Sequence, residues 1–204
     1  MTTKVYLIRH GQTLWNQDSK YQGHSDIALS ETGKEQAQRL REYFVSKNIE
    51  LNAIYASDLS RAHQTAEIIA GAYNMSVSVN KDFREMNFGV WEGLTFKEIQ
   101  KLYTELAEQW LKAPENLEIP NGESFLIVKD RAERALQSII QKHENENIVL
   151  VSHGGTLRTI FCALLDIPLT KMWQFKLDNT AVTIFDFYKD KPILSLYNST
   201  AHLY

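Results

Sequence analysis

Short apolar runs rich in branched residues alternate along this chain with segments of helical periodicity, and that alternation leaves few folds open. The runs span residues 4–8 (KVYLI), 53–57 (AIYAS), 76–79 (SVSV) and 147–151 (NIVLV). Each is too short for a helix and suits a pleated, buried surface. Ser30 caps a helix predicted to reach about Lys47, with Ala37, Leu40 and Phe44 on one face. Residues 59–73 place Ala62, Ala66 and Ile69 at helical spacing. Thr95 and Glu98 fit a capping box, which opens a helix near 95–103. Phe125, Val128, Ala132, Leu136, Ile139 and Ile140 stripe the segment 124–143, and residues 154–165 read as a helix closed by Pro168. Residues 180–188 and 192–198 read as two final strands joined by Lys189-Asp190-Lys191. The pattern predicts an α/β three-layer sandwich, with a mostly parallel central sheet flanked by helices and an antiparallel hairpin at its end. All 204 residues are read as a single domain, in which residues 84–123 form an insertion that roofs one rim.

Two of the runs stop in the same way, on "RHG" at residues 9–11 and "SHGG" at residues 152–155. In open parallel sheets, ligands bind outside the carboxyl ends of the strands. His10 and His153 are therefore expected on one rim, although 143 positions separate them. A third strand end leads into "ASDLSRAHQTA" and supplies Arg61. Arg9 and Arg61 offer planar forks of donors that match phosphate oxygens. Gly11 and Gly154 are expected to let a ligand approach the backbone. His10 is a candidate nucleophile towards phosphorus, kept neutral by the neighbouring arginines. Each arginine contributes about 4 kcal/mol of attraction at a separation of about 4 Å and an effective dielectric of about 20, before desolvation.

Phosphomonoester hydrolysis needs a barrier reduction above about 20 kcal/mol, and an alkoxide leaving group needs a proton. Glu85, in "FREMNFGVWEG", is the candidate donor. Its apolar neighbours Phe83, Met86 and Phe88, together with a bound phosphate, are expected to raise its pKa. The alternative for Glu85 is a surface ion pair with Arg84 or another cation. His24, His63, His143 and His202 are expected to play structural or surface roles. Trp91, Leu94, Trp110 and Ile119 form either an apolar substrate wall or the core of the insertion, with the core favoured for Trp110.

No HExxH, CxxC or His-carboxylate pattern is present, so neither a metal nor another cofactor is expected. The formal net charge of −3 argues against a nucleic-acid partner. No apolar run approaches the roughly 18 residues that cross a bilayer, and the opening residues lack a signal-peptide pattern. The single cysteine, Cys162, cannot build a disulfide framework. A cytoplasmic protein is the expectation.

These residues occur in a larger ordered set: "LIRHGQTLWN", "GHSDIALSETGKEQA", "IYASDLSRAHQTAEII", "FREMNFGVWEGLTFKEI", "PNGESFLIVKDRAERAL" and "VSHGGTLR". The set resembles the histidine phosphatase superfamily, also called phosphoglycerate mutase-like. The resemblance implies that His10 becomes phosphorylated, that Arg9, Arg61 and His153 complete the phosphate pocket, and that Glu85 is the acid. It also implies that Asn16, Gln22 and Gly23 line the pocket. "NFGVWEGLTFKEI" and the compact length resemble the phosphatase branch, including broad-specificity and α-ribazole-phosphate phosphatases. The implied activity is hydrolysis of a small phosphorylated metabolite by a monomer or homodimer. A cofactor-dependent phosphoglycerate mutase and a catalytically silent phosphate-ligand binder are the alternatives. Ala28 stands where relatives often carry proline.

Overall fold

The computed structural model describes residues 2–189 and 191–204. Six strands form one sheet: β1 (Thr3–Arg9), β2 (Ala53–Ala56), β3 (Val77–Val79), β4 (Asn147–Ser152), β5 (Val182–Tyr188) and β6 (Lys191–Ser199). Their spatial order is β3-β2-β4-β1-β5-β6. The first four pair in parallel, and β5 and β6 add antiparallel. Asp190, in the connection read between the last two strands, lies outside the described residues.

Alternate residues of the strands feed two cores. Val5 and Leu7 of β1, with Ile148 and Leu150 of β4, pack against α6 (Phe125–Lys142) and α7 (Gly154–Leu164). Tyr6, Ile8, Val149 and Val151 face the other way, onto α2 (Glu31–Ser46) and α3 (Ser60–Ala70). Burial on both faces explains why these strands read as continuous apolar runs rather than alternating ones. The expected Ser30 cap forms, accepting from Gly33 N at the start of α2, and Ser124 also caps α6, accepting from Ile127 N. Thr95 and Glu98 make their capping box at α4 (Phe96–Leu102).

Two helices were not legible in the sequence: the four-residue α1 (Leu14–Gln17) and α5 (Thr104–Lys112). Within residues 84–123, Met86, Phe88, Trp91, Ile99, Ala107, Trp110, Leu117 and Ile119 build a third core. It is continuous with Phe125 and Val128 of α6 and with Met172. Trp91 and Ile119 thus belong to that core, with Leu94 partly buried against it. No helix among the described residues is long and apolar enough to cross a membrane.

The register fixes where the strands stop. Arg9 sits opposite Ser152, and Ala56 opposite Val151. His10 N donates to Ser152 O at 3.0 Å, and Ser57 N donates to Val151 O at 3.1 Å. Three adjacent parallel strands therefore end in line, with His10 and His153 one residue beyond the two central ones.

Candidate active site

The rings of His10 and His153 lie 5.2 Å apart, centroid to centroid, and both are buried. His10 Nδ1 is 2.7 Å from the Gly11 carbonyl. Burial, then the charges of Arg61 and Arg9, hold the His10 pKa well below its usual value. The ring is therefore neutral near pH 7, with Nδ1–H donating to the carbonyl and a lone pair on Nε2. The His10 carbonyl accepts from Asn179 Nδ2 at 3.0 Å. His153 occupies the N-cap position of α7. Burial, then Arg61 and His10, also hold its pKa well below the ordinary histidine range.

Backbone carbonyls steer the two arginines. Arg9 Nη1 donates to Leu177 O at 2.6 Å. Arg61 Nη2 donates to Gly23 O at 2.7 Å, and its Nη1 to Ser25 O at 2.9 Å. Burial lowers both pKa values to about 10, which leaves both groups charged near neutrality. Arg9 Nε, Arg61 Nε and both ring nitrogens of His153 are buried without a hydrogen-bond partner among the described residues. An unsatisfied buried polar group costs about 1–3 kcal/mol. Two of these four atoms are cationic N–H donors and the other two share an imidazole beside them, a set that matches an anion.

Glu85 lies against the first turn of α7. Its Oε1 accepts from Thr156 N (3.0 Å), Met86 N (3.0 Å) and Thr156 Oγ1 (3.3 Å). Its Oε2 accepts only from Gly155 N, at 2.9 Å, and is the less occupied oxygen. A Cβ on Gly155 would stand 2.6 Å from Glu85 Oε1, so this glycine admits the carboxylate. Arg84 does not pair with Glu85. It makes a two-pronged pair with Asp58 at 2.6 and 2.7 Å. Arg131 holds the backbone instead, donating to the carbonyls of Asp82, Arg84 and Glu85 while paired with Glu123.

A cavity of about 280 Å³ opens over these groups. Arg9, His10, Asn16, Gln22, Gly23, Arg61, Glu85 and Gly154 all line it. His153 lies beneath, fully enclosed beside His10. Gln22 Oε1 accepts from Thr13 Oγ1 at 2.9 Å, which leaves the amide nitrogen for a ligand. Asn16 Oδ1 likewise accepts from Thr13 N at 3.0 Å. Gly23 adopts φ +51°, and a Cβ there would meet Glu92 Oε1. Glu92 stitches this loop to Phe88. Its Oε1 accepts from His24 N and Phe88 N, and its Oε2 from Ser25 N.

Gly11 corrects the sequence expectation. It does not line the cavity, and a Cβ there would stand 2.5 Å from the Gly33 carbonyl. Its lack of a side chain serves backbone packing against α2, and its carbonyl orients His10. His24 also does more than sit at the surface, with Nε2 3.0 Å from the Glu85 carbonyl. Sequence reasoning missed Glu92, Arg131, Arg158 and Trp173. Arg158, Glu92 and Arg131 each lie within a quoted motif, "VSHGGTLR", "FREMNFGVWEGLTFKEI" and "PNGESFLIVKDRAERAL", whereas Trp173 lies in none. Trp110 both anchors the third core and borders the cavity. Among the described residues no group of three or more His, Cys, Asp or Glu side chains could hold a metal ion.

The family model described as histidine phosphatase superfamily (branch 1) matches residues 5–200. The chain belongs to this superfamily. Phosphoserine phosphatase 1 of Hydrogenobacter thermophilus is 34% identical to this histidine phosphatase over 98% of the chain and 94% of the relative. Phosphoglycerate mutase-like protein 4 of Arabidopsis thaliana is 36% identical over 98% and 86%. A crystal structure of an Entamoeba histolytica phosphoserine phosphatase variant in complex with phosphoserine superposes with a TM-score of 0.87. It is 34% identical and covers 99% of this chain and all of its own.

Proposed function

We propose that this phosphoric monoester hydrolase works without a metal, through a phosphohistidine on His10, on a small phosphorylated metabolite. One observation carries the reading. His10 Nδ1 is committed to the Gly11 carbonyl, so the nucleophilic Nε2 belongs to a neutral ring set among unpaired donors and beside Glu85.

In the first step His10 Nε2 attacks phosphorus in line, and the bond from phosphorus to the leaving oxygen breaks. Glu85 gives that oxygen its proton, from Oε2. Arg9, Arg61 and a ring N–H of His153 stabilise the charge on the transferring oxygens. In the second step water gives a proton to the Glu85 carboxylate and attacks phosphorus. The N–P bond breaks, and neutral His10 and inorganic phosphate are released. Guanidinium and N–H donors supply the charge stabilisation that a metal would otherwise give.

The cavity size suits a small metabolite, and the phosphoserine phosphatase relatives support hydrolysis. A cytoplasmic location is part of this reading, since Cys162 is the only cysteine and is buried. The test is to quench turnover and map the acid-labile phosphoryl group. Label on His10 with free phosphate as product supports the reading. Label elsewhere, or conversion of 3-phosphoglycerate to 2-phosphoglycerate with little phosphate released, refutes it.

A further inference from the structure

The cavity holds a third guanidinium that the proposed reaction does not use. Arg158 sits one turn into α7 from Gly154. Its Nε donates to Phe175 O at 2.8 Å and its Nη1 to Gly154 O at 3.1 Å. Its guanidinium lies 5.5 Å from the centre of the Trp173 ring. Two carbonyls and an indole thus fix the group in place, half-buried, with its fork bordering the cavity. Its Nη2 makes no hydrogen bond among the described residues, and no described carboxylate pairs with it. Arg84 and Arg131 behave differently, since each reaches a carboxylate. Lys20, which also borders the cavity, has Asp18 at 3.5 Å. A cation drawn out of water against carbonyls alone is costly unless an anion joins it.

Charge and distance say what that anion is. When Glu85 carries the proton for the first step, Arg9, Arg61 and Arg158 place three positive charges around one small cavity. A phosphomonoester dianion balances two of them. A Cβ on Gly154 would stand 3.6 Å from Arg9 Nε and 3.1 Å from Arg158 Nη1, so both guanidiniums flank a single Cα. The third charge therefore calls for an anion on the same molecule, only a few bonds from the phosphate. Trp110 and Phe125 border the same space, and their rings lie 5.1 and 5.8 Å from that of Trp173. Beside this aromatic wall, a carboxylate brings the single negative charge that the phosphate dianion leaves unbalanced, whereas a second phosphate brings about 1.5 to 2.

Building on the phosphatase reading, we propose that Arg158 is a specificity residue that binds a carboxylate of the substrate, and that the substrates are small phosphomonoesters with a carboxylate close to the phosphate. A planar fork facing a planar anion gives direction as well as attraction.

The test uses a matched pair, phosphoserine and phosphoethanolamine, which differ only in the carboxylate. The wild-type protein is expected to favour phosphoserine at least tenfold in kcat/KM. Arg158→Gln is expected to collapse that ratio towards one, chiefly by raising KM for phosphoserine. Arg158→Lys is expected to keep an intermediate ratio. A wild-type ratio near one, which needs no variant, overturns the proposal. Equal losses on both compounds in Arg158→Gln also overturn it, by placing Arg158 in the phosphate cradle. Calorimetric binding of the same pair to the His10→Ala protein separates this proposal from the phosphatase reading. Tighter binding of phosphoserine supports the role of Arg158 even where no ester is turned over, and equal affinities overturn it.

Discussion

Glu85 Oε2 accepts a hydrogen bond of 2.9 Å from the backbone N–H of Gly155, two residues beyond His153. One short helix start thus positions the buried imidazole and the carboxylate beside it. Glu85→Gln keeps the shape and removes the transferable proton. We expect a loss of about 10²–10⁴ on alkyl phosphates and a much smaller loss on p-nitrophenyl phosphate, whose leaving group needs little protonation. Steady-state rates on the two classes check this, and equal losses would remove Glu85 from the acid role.

Gly155→Ala tests the same contact from the other side. The added Cβ would meet Glu85 Oε1 at 2.6 Å and Phe125 Cε1 at 3.1 Å. We expect about 1–3 kcal/mol of destabilisation from overpacking, with a fall in kcat on alkyl phosphates. Thermal unfolding and kcat measured on one preparation check the pair of effects.

His10→Ala is expected to reduce turnover to background and to abolish labelling by a phosphoryl donor, since His10 is the only imidazole among the described residues that line the cavity. Quenched-flow labelling reads this directly. Chelation by EDTA is expected to leave the wild-type rate unchanged, and a loss that added metal restores would contradict the donor-only cradle.

Acid weakens this protein in a defined direction. Burial lowers the His202 pKa from 6.5 to about 4, and the pKa values of His10 and His153 are also depressed. Below the unfolded-state value the unfolded chain binds protons that the folded chain refuses. Stability is therefore full above about pH 6.5 and declines as pH falls, by up to about 1.4 kcal/mol per pH unit for each such group. For His202 the decline runs from pH 6.5 to about 4. Urea midpoints between pH 8 and pH 4 would show it. The acid limb of kcat/KM, where it reports His10, is expected well below pH 6.5.

Glu92→Ala cuts the stitch between the 23–25 loop and Phe88. That loop supplies the carbonyls that aim Arg61. We expect weaker binding of inorganic phosphate, with KM rising more than kcat falls. Product-inhibition constants check it, and an unchanged constant would separate the loop from the anion site.

The reacting edge was legible because it is local. Each strand end writes its own signature, and parallel register brings Arg9 level with Ser152. Of the walls, only Trp110 was offered by the sequence, because Tyr21 and Trp173 come from distant segments joined to it only by packing. Gly11 was misread for the same reason, since the atom that forbids its side chain belongs to Gly33. α5 escaped because only Ala107 and Trp110 are buried along its nine residues, too few to mark a stripe.

His10 and His153 follow the sheet's two innermost strands, while residues 84–123 bring Glu85 and part of an aromatic cluster to the same cavity. A shift of that segment would therefore carry Glu85 along with the wall, while strand register holds the two imidazoles where they are. A lineage that re-tools this wall is thus held to changes that leave Glu85 where it stands.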